Sequence, residues 1–242
     1  MKKAFTLILA LLLCMSCSAF LISCDDEQNA AETGAQTTVE ETTTESTPKK
    51  GDLEGLVKED SLNKLDNYTL TIEGKMSVTQ DGQDQGVSDM KQVTKTANGK
   101  IEIILYGMNE NGEMEPDEDS IVVEGEMAET QKAENNQLIE IILGEYKKFV
   151  YDSKTDSYSI NETVVIEKDI NGFSVDNEGN MISIVTPTKI TIKNAKVTLT
   201  EDGKLACLVC DYTQEMTMGE HVIVTSGLTT WTVTDYGTTV IG

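Results

Sequence analysis

Arginine is absent from this chain and histidine occurs once, at His221. Set against 42 acids, the 19 lysines leave a formal net charge of −23. Such a surface repels phosphate backbones and anionic headgroups, which excludes nucleic acid as a partner and attachment to a membrane through a basic patch. With one histidine the commonest poised base is nearly missing. Neither a Gly-x-Ser-x-Gly elbow, nor a phosphate-binding glycine loop, nor a histidine-rich metal pattern occurs. No catalytic residue, cofactor or metal site is expected, and the chain is read as not an enzyme; His221 is assigned to a solvent-facing hairpin end. Apolar residues make up 38% of the chain with its N-terminal apolar run included, so the domain itself is polar and its core is expected to be thin.

One long apolar run is present, from Ala4 to Ile22, behind Lys2 and Lys3 and ahead of Asp25 and Asp26. That is the layout of a signal peptide, although by length alone the run would also serve as a permanent transmembrane helix. Leu21-Ile22-Ser23-Cys24 resembles the lipobox of bacterial lipoproteins, in which a branched apolar residue and a small residue precede the cysteine that becomes the lipid-modified N-terminus. Cys14 and Cys17 are the competing cysteines, and Cys24 is preferred because it stands at the end of the run. The expected division is a signal peptide over 1–23, the lipidated Cys24 with a tether over 24–50, and one folded domain over 51–242. The tether is built of Glu, Thr, Ala, Gln and Ser, with Val39 its only sizeable apolar side chain, too little to offset the entropy of ordering. A flexible chain of that length reaches about 30 Å, enough to hold the domain clear of the headgroups. Cleavage leaves 17 lysines against 42 acids on the mature chain, a net charge near −25.

Beyond residue 50 a short amphipathic helix is expected over 53–65. The pattern then changes period: Tyr68, Leu70 and Ile72 alternate with Thr69, Thr71 and Glu73, as in a strand with one buried face. Turn dipeptides recur at Asp81-Gly82, Asn98-Gly99, Asn111-Gly112, Asn171-Gly172, Glu178-Gly179 and Asp202-Gly203, each suited to the positive φ of a hairpin. Strand-like runs lie between them at 89–96, 100–106, 120–128, 146–151 and 158–160. The run 138–143 has no alternation and is read as strand or helical turn. The last third carries three long strands, 188–200, 204–216 and 220–236, joined by short turns. Strands of that length coil with their natural twist. The fold class is therefore mainly β with minor α: a strongly curved antiparallel sheet, a half-open barrel with a short N-terminal helix. The segments 75–82 and 196–203 match in type at nearly every position and are read as two hairpins with similar demands.

Cys207 and Cys210 form a C-x-x-C pair, which in a secreted protein invites a disulfide. Three residues along a strand, however, they stand about 10 Å apart on opposite faces, beyond the roughly 7 Å that a disulfide spans. Two free thiols are expected. Two acidic loops carry oxygen ligands around a glycine: 109–119, with Asn109, Asn111, Glu113, Asp117 and Asp119, and 176–180. Neither fits the twelve-residue calcium-loop pattern, since Gly107 stands where the first acidic ligand should be, and both are read as solvated.

The lipobox, the Thr/Glu tether, the helix leading into Asp66-Asn67-Tyr68-Thr69-Leu70-Thr71, the hairpin over 146–158 and the closing Trp231-Thr232-Val233-Thr234-Asp235-Tyr236-Gly237 together resemble the LolA/LppX-type lipoprotein carriers. The resemblance implies a half-open barrel whose apolar concave face, closed by helices, receives acyl chains or lipoproteins.

Two functions follow as expectations. The first is a lipoprotein anchored on the extracytoplasmic face of the bacterial cell membrane and carrying an apolar or amphiphilic ligand such as a lipid, with Leu208, Tyr212 and Trp231 lining the concave face. The alternative is a surface protein-interaction or envelope-structural lipoprotein with no small-molecule cavity. A bulge near Ser226-Gly227 would reverse the phase of the last strand, so the inner face stays open at this point.

Overall fold

Alternating apolar and hydroxylated residues, punctuated by Asp-Gly and Asn-Gly pairs, build a computed structural model dominated by one antiparallel sheet. It describes residues 53–58, 61–109, 111–117, 120–175 and 181–241. The expected signal peptide, Cys24, the tether to residue 50, and the loop 176–180 lie outside the described residues.

The strands are β1 (Asn67–Gln80), β2 (Gln83–Ala97), β3 (Lys100–Met108), β4 (Met114–Pro116), β5 (Ile121–Glu124), β6 (Val150–Asp152), β7 (Ser157–Ile160), β8 (Val164–Val175), β9 (Met181–Leu199), β10 (Leu205–Met218) and β11 (His221–Thr234). Among the described residues there are two α-helices, α1 (Leu53–Lys58) and α2 (Glu126–Gly144), each followed by a 3-10 turn, Leu62–Lys64 and Tyr146–Lys148. Hydrogen-bonded neighbours run β4-β3-β2-β1-β11-β10-β9-β7-β6, with β5 also on β3 and β8 also on β9. The sheet is open, and the first and last long strands of the domain close onto each other: β1 pairs β11 from Thr69↔Thr234 to Gln80↔Ile223. Among the described residues no helix is long and apolar enough to cross a membrane, which leaves strands out of account.

The hairpin chemistry acts as expected at Asp81-Gly82 and Asn98-Gly99, where both residues of each pair have positive φ. Several expectations need correction, and the open reading of 138–143 is resolved. The helix over 53–65 is split into α1 and a 3-10 turn. The segment 138–143 is the end of α2, a helix of 19 residues, and 120–128 is strand only to Glu124, where Gly125 at φ 63° turns the chain into that helix. The run 146–151 opens as a 3-10 turn before β6. Lastly, Asn171-Gly172 is not a turn: it lies inside β8, which pairs without a break with a β9 that begins at Met181 rather than near 188.

The main core lies where the helices cover the inner face. Ile139, Ile142 and Leu143 of α2 and Leu53 and Leu56 of α1 join Tyr68 and Leu70 of β1, Val233 of β11 and Val197 of β9 in one buried cluster. After β11 the chain folds back on β1, where the Asn67 side-chain amide donates to the Thr239 carbonyl (3.1 Å) and the Asn67 side-chain oxygen accepts the Thr239 N–H (2.8 Å).

Candidate functional site

The parity of the last two strands settles which face is inner. Along β11, Thr225, Thr229, Trp231 and Val233 are buried; along β10, Leu208, Cys210, Tyr212 and Met216 are. The β1–β11 and β10–β11 registers pass Ser226 and Gly227 without a shift, so the last strand keeps one phase. Bulges fall elsewhere, between Leu205 and Cys207, at the Asp211/Tyr212 step, and between Val78 and Thr79.

Gly227 does something other than bulge. It sits opposite Met76 on β1 and opposite Tyr212 on β10, and a Cβ there would come within 2.2 Å of the Lys75 carbonyl oxygen. Gly74, two pairs along, is also tight: its Cβ would lie 2.8 Å from the Leu228 carbonyl. Two glycines thus let β1 and β11 approach closely in mid-strand. In the space that the missing side chain leaves, the Tyr212 hydroxyl reaches the Met76 sulfur at 3.6 Å.

Leu208, Tyr212 and Trp231 therefore share the inner face, with relative exposures of 0, 4 and 3%. Leu208 is registered with Trp231, and the rings of Tyr212 and Trp231 lie 6.0 Å apart at 36°. All three belong to the main core cluster, in contact with the chain's own side chains. Burial raises the Tyr212 phenol to about 12, so it stays a neutral donor.

Beyond that cluster the inner face is mixed, with Met76, Val78 and Met216 buried among polar side chains. Gln92 and Thr94 of β2, Thr186 and Thr188 of β9, and Thr225 and Thr229 of β11 are all buried. The covering helix is mixed too: after Ala128 the buried face of α2 is Gln131, Lys132, Asn135 and Asn136, and it turns apolar again from Ile139. Asn136 donates to the Tyr68 hydroxyl (2.8 Å) and to Asn63 (3.0 Å), and Gln131 donates to Asn135 (3.2 Å). The Asn135 amide nitrogen and the Thr225 hydroxyl have no hydrogen-bond partner among the described residues. Lys132, 5% exposed, pairs with Glu129 at 2.8 Å. Burial pushes the Glu134 carboxyl up to about 7. Glu140 is also raised by burial, against the backbone N–H groups of Leu62 and Asn63 that it accepts; it thereby caps the first 3-10 turn.

His221 is exposed and hydrogen-bonds Asp81 through Nδ1 at 2.8 Å, while Asp81 also accepts the Val222 N–H at 2.9 Å. The pair ties the β1–β2 turn to the β10–β11 turn. Those contacts, the Val222 N–H first, hold the Asp81 carboxyl below its ordinary value. Cys207 is half-buried and Cys210 buried, and the two are free thiols. Within 109–117 the Asn109 side-chain oxygen is occupied by the N–H groups of Asn111 and Glu113, both at 2.9 Å. Among the described residues no group of three or more His, Cys, Asp or Glu side chains is gathered to hold a metal ion; Asp119 and 176–180 lie outside them. Sequence reasoning missed the polar half of the interior, because threonine alternating with valine fits either face of a strand equally well.

No family model matches the chain, and no curated relative does. Among solved structures it is similar to Ail, the attachment invasion locus protein of Yersinia pestis, crystallised with the heparin analogue sucrose octasulfate. The alignment is 6% identical, covers 70% of this chain and 100% of Ail, and has a TM-score of 0.22. Likeness at that level carries no argument about function.

Proposed function

We propose that the chain is a lipoprotein, anchored through Cys24 on the extracytoplasmic face of a bacterial membrane, whose curved β domain is a protein-interaction module rather than a lipid carrier. The observation that carries the choice is the packing of Leu208, Tyr212 and Trp231. The side chains best suited to line an apolar groove are spent on one another and on the core. What remains of the inner face mixes Met76, Val78 and Met216 with buried threonines and Gln92, and α2 adds buried glutamine and asparagine. An acyl chain laid against buried hydroxyls and amides would strip them of partners, at roughly 1–3 kcal/mol for each group left unpaired. That cost opposes the gain of about 0.8 kcal/mol per methylene that makes lipid carriage favourable.

The anchor part of the proposal rests on Leu21-Ile22-Ser23-Cys24 following an apolar run. Metabolic labelling with palmitate tests it: the wild-type chain takes up label and Cys24→Ser does not, whereas label retained by the variant refutes the assignment. For the domain, titration of residues 51–242 with a fluorescent fatty-acid probe is expected to give no saturable binding at micromolar concentration. Saturable binding with a change in Trp231 emission would restore the carrier reading.

A further inference from the structure

Resting on the reading of the domain as an interaction module, we propose that the outer edge of β8 takes up an extended basic segment of a partner protein as an added antiparallel strand.

The sheet is built with a gap there. β10 occupies one side of β9 through Leu199, so β7 and β8, which pair the same stretch of β9, both lie on its other side, end to end. β6 covers the outer edge of β7 and runs antiparallel to it. Among the described residues no strand covers β8. A strand entering beside β8 in the direction of β6 would extend the line that β6 begins. The open edge is 12 residues long, and on it alternate backbone N–H and C=O groups point away from β9.

Two of the devices that protect a sheet edge are missing from β8, although it keeps a third, the exposed Lys168 on the parity of Val164 and Ile170. It contains no proline, and its register against β9 runs unbroken from Val164↔Ile192 to Val175↔Met181. What it presents is a pattern. Val165 is 50% exposed, and Glu167 and Asp169 follow it on the same face, both exposed. Lys189 stands opposite Glu167 on β9 and offsets part of its charge, whereas Asp169 stands opposite Pro187. A strand added alongside is favoured by an apolar residue across from Val165 and by lysine or arginine across from the two carboxylates.

Charge also separates the occupants. In a two-fold pair of β8 with a second copy, cross-strand partners must share a face. Registers centred between residues 167 and 169 then set Glu167 against Glu167, Asp169 against Asp169, or one against the other, and like charges directly opposite are destabilising. The chain's own 25–50 segment is acidic, with Asp25, Asp26 and five glutamates against Lys49 and Lys50. A basic segment from another protein meets neither penalty and gains from the net charge of −23.

The test uses the full-length protein in detergent micelles and labelled peptides of about eight residues, a typical strand-addition length. A peptide alternating lysine and valine is compared with the same peptide interrupted by proline and with its glutamate counterpart. The lysine peptide is expected to bind, to slow hydrogen exchange at β8 amides, and to bind at least about tenfold more tightly than either control. Glu167→Lys combined with Asp169→Lys should reverse the charge preference, while Glu215→Lys, an exposed acid on β10, should leave it in place. The inference is overturned if the lysine peptide does not bind or binds without protecting β8. It is equally overturned if proline makes no difference, if Glu215→Lys weakens binding as much as the β8 pair does, or if β8 is instead protected by self-association. Each of these outcomes leaves the fatty-acid result, and so the module reading, to stand or fall separately.

Discussion

Tyr212 and Trp231 face each other across the inner side of β10 and β11, ring centroids 6.0 Å apart, and each fills space that the other would leave open. Truncating one aromatic ring in such a core removes its burial and leaves a cavity. Tyr212→Ala is expected to lower stability by about 3 kcal/mol and to red-shift Trp231 emission, as read in a denaturant titration followed by fluorescence. A change under about 1 kcal/mol with unchanged emission would mean that the two rings line open space.

At Gly227 a methyl group would meet the backbone of β1 rather than a movable side-chain end. Gly227→Ala should therefore cost at least about 2–3 kcal/mol, the upper part of the range for overpacking. Gly144→Ala is the control: a Cβ at that helix end meets nothing within 4 Å, and the thermal midpoint should hold or rise.

Glu134 gives stability a pH dependence of definite sign. Its folded value, raised to about 7 by burial, lies above the ordinary carboxylate value that it regains on unfolding. Between those values the folded chain holds a proton that the unfolded chain releases, so stability falls as pH rises through this window and is level above it. Solvent screening limits the effect of this partly exposed group to about 1 kcal/mol. Glu134→Gln should flatten stability between pH 5 and pH 8 and make the protein more stable at the upper end; an unchanged slope would place the burden elsewhere, with the similarly raised Glu140 the next group to test.

The two thiols should differ in reactivity. Burial raises both, and Cys210 to about 12, so little thiolate forms on either at neutral pH. A thiol-reactive dye is expected to label Cys207 slowly and Cys210 only on unfolding. Mass spectrometry of the untreated protein should show no bond between them, and a peptide lighter by two hydrogens would contradict the strand placement.

The hairpins were legible wherever an Asp-Gly or Asn-Gly pair stood between alternating runs, as at Asp81-Gly82 and Asp202-Gly203. β8 was hidden because Glu167-Lys168-Asp169 breaks its apolar alternation and Asn171-Gly172 mimics a turn. Its signal lies in the partner strand, where Ile190 and Ile192 pair with Ile166 and Val164. α2 was hidden for a different reason: after Ala128 the buried residues of its first turns are Gln131, Lys132, Asn135 and Asn136, so no sustained hydrophobic period announces a helix until Ile139. Its N-cap is Gly125, without a side-chain cap, so the usual start signal is missing as well. Of the candidate site, the shared face of Leu208 and Tyr212 follows from strand parity alone. The place of Trp231 on that face depended on whether Gly227 made a bulge, and only the register across three strands decides that.

The central claim is that the interior of the curved sheet is filled by the chain itself and holds no lipid. Native mass spectrometry of residues 51–242 made in bacteria, followed by solvent extraction of the same sample, tests it most directly. The account predicts the bare polypeptide mass and an extract free of stoichiometric lipid; a bound lipid released in equimolar amount would contradict it and make the domain a carrier.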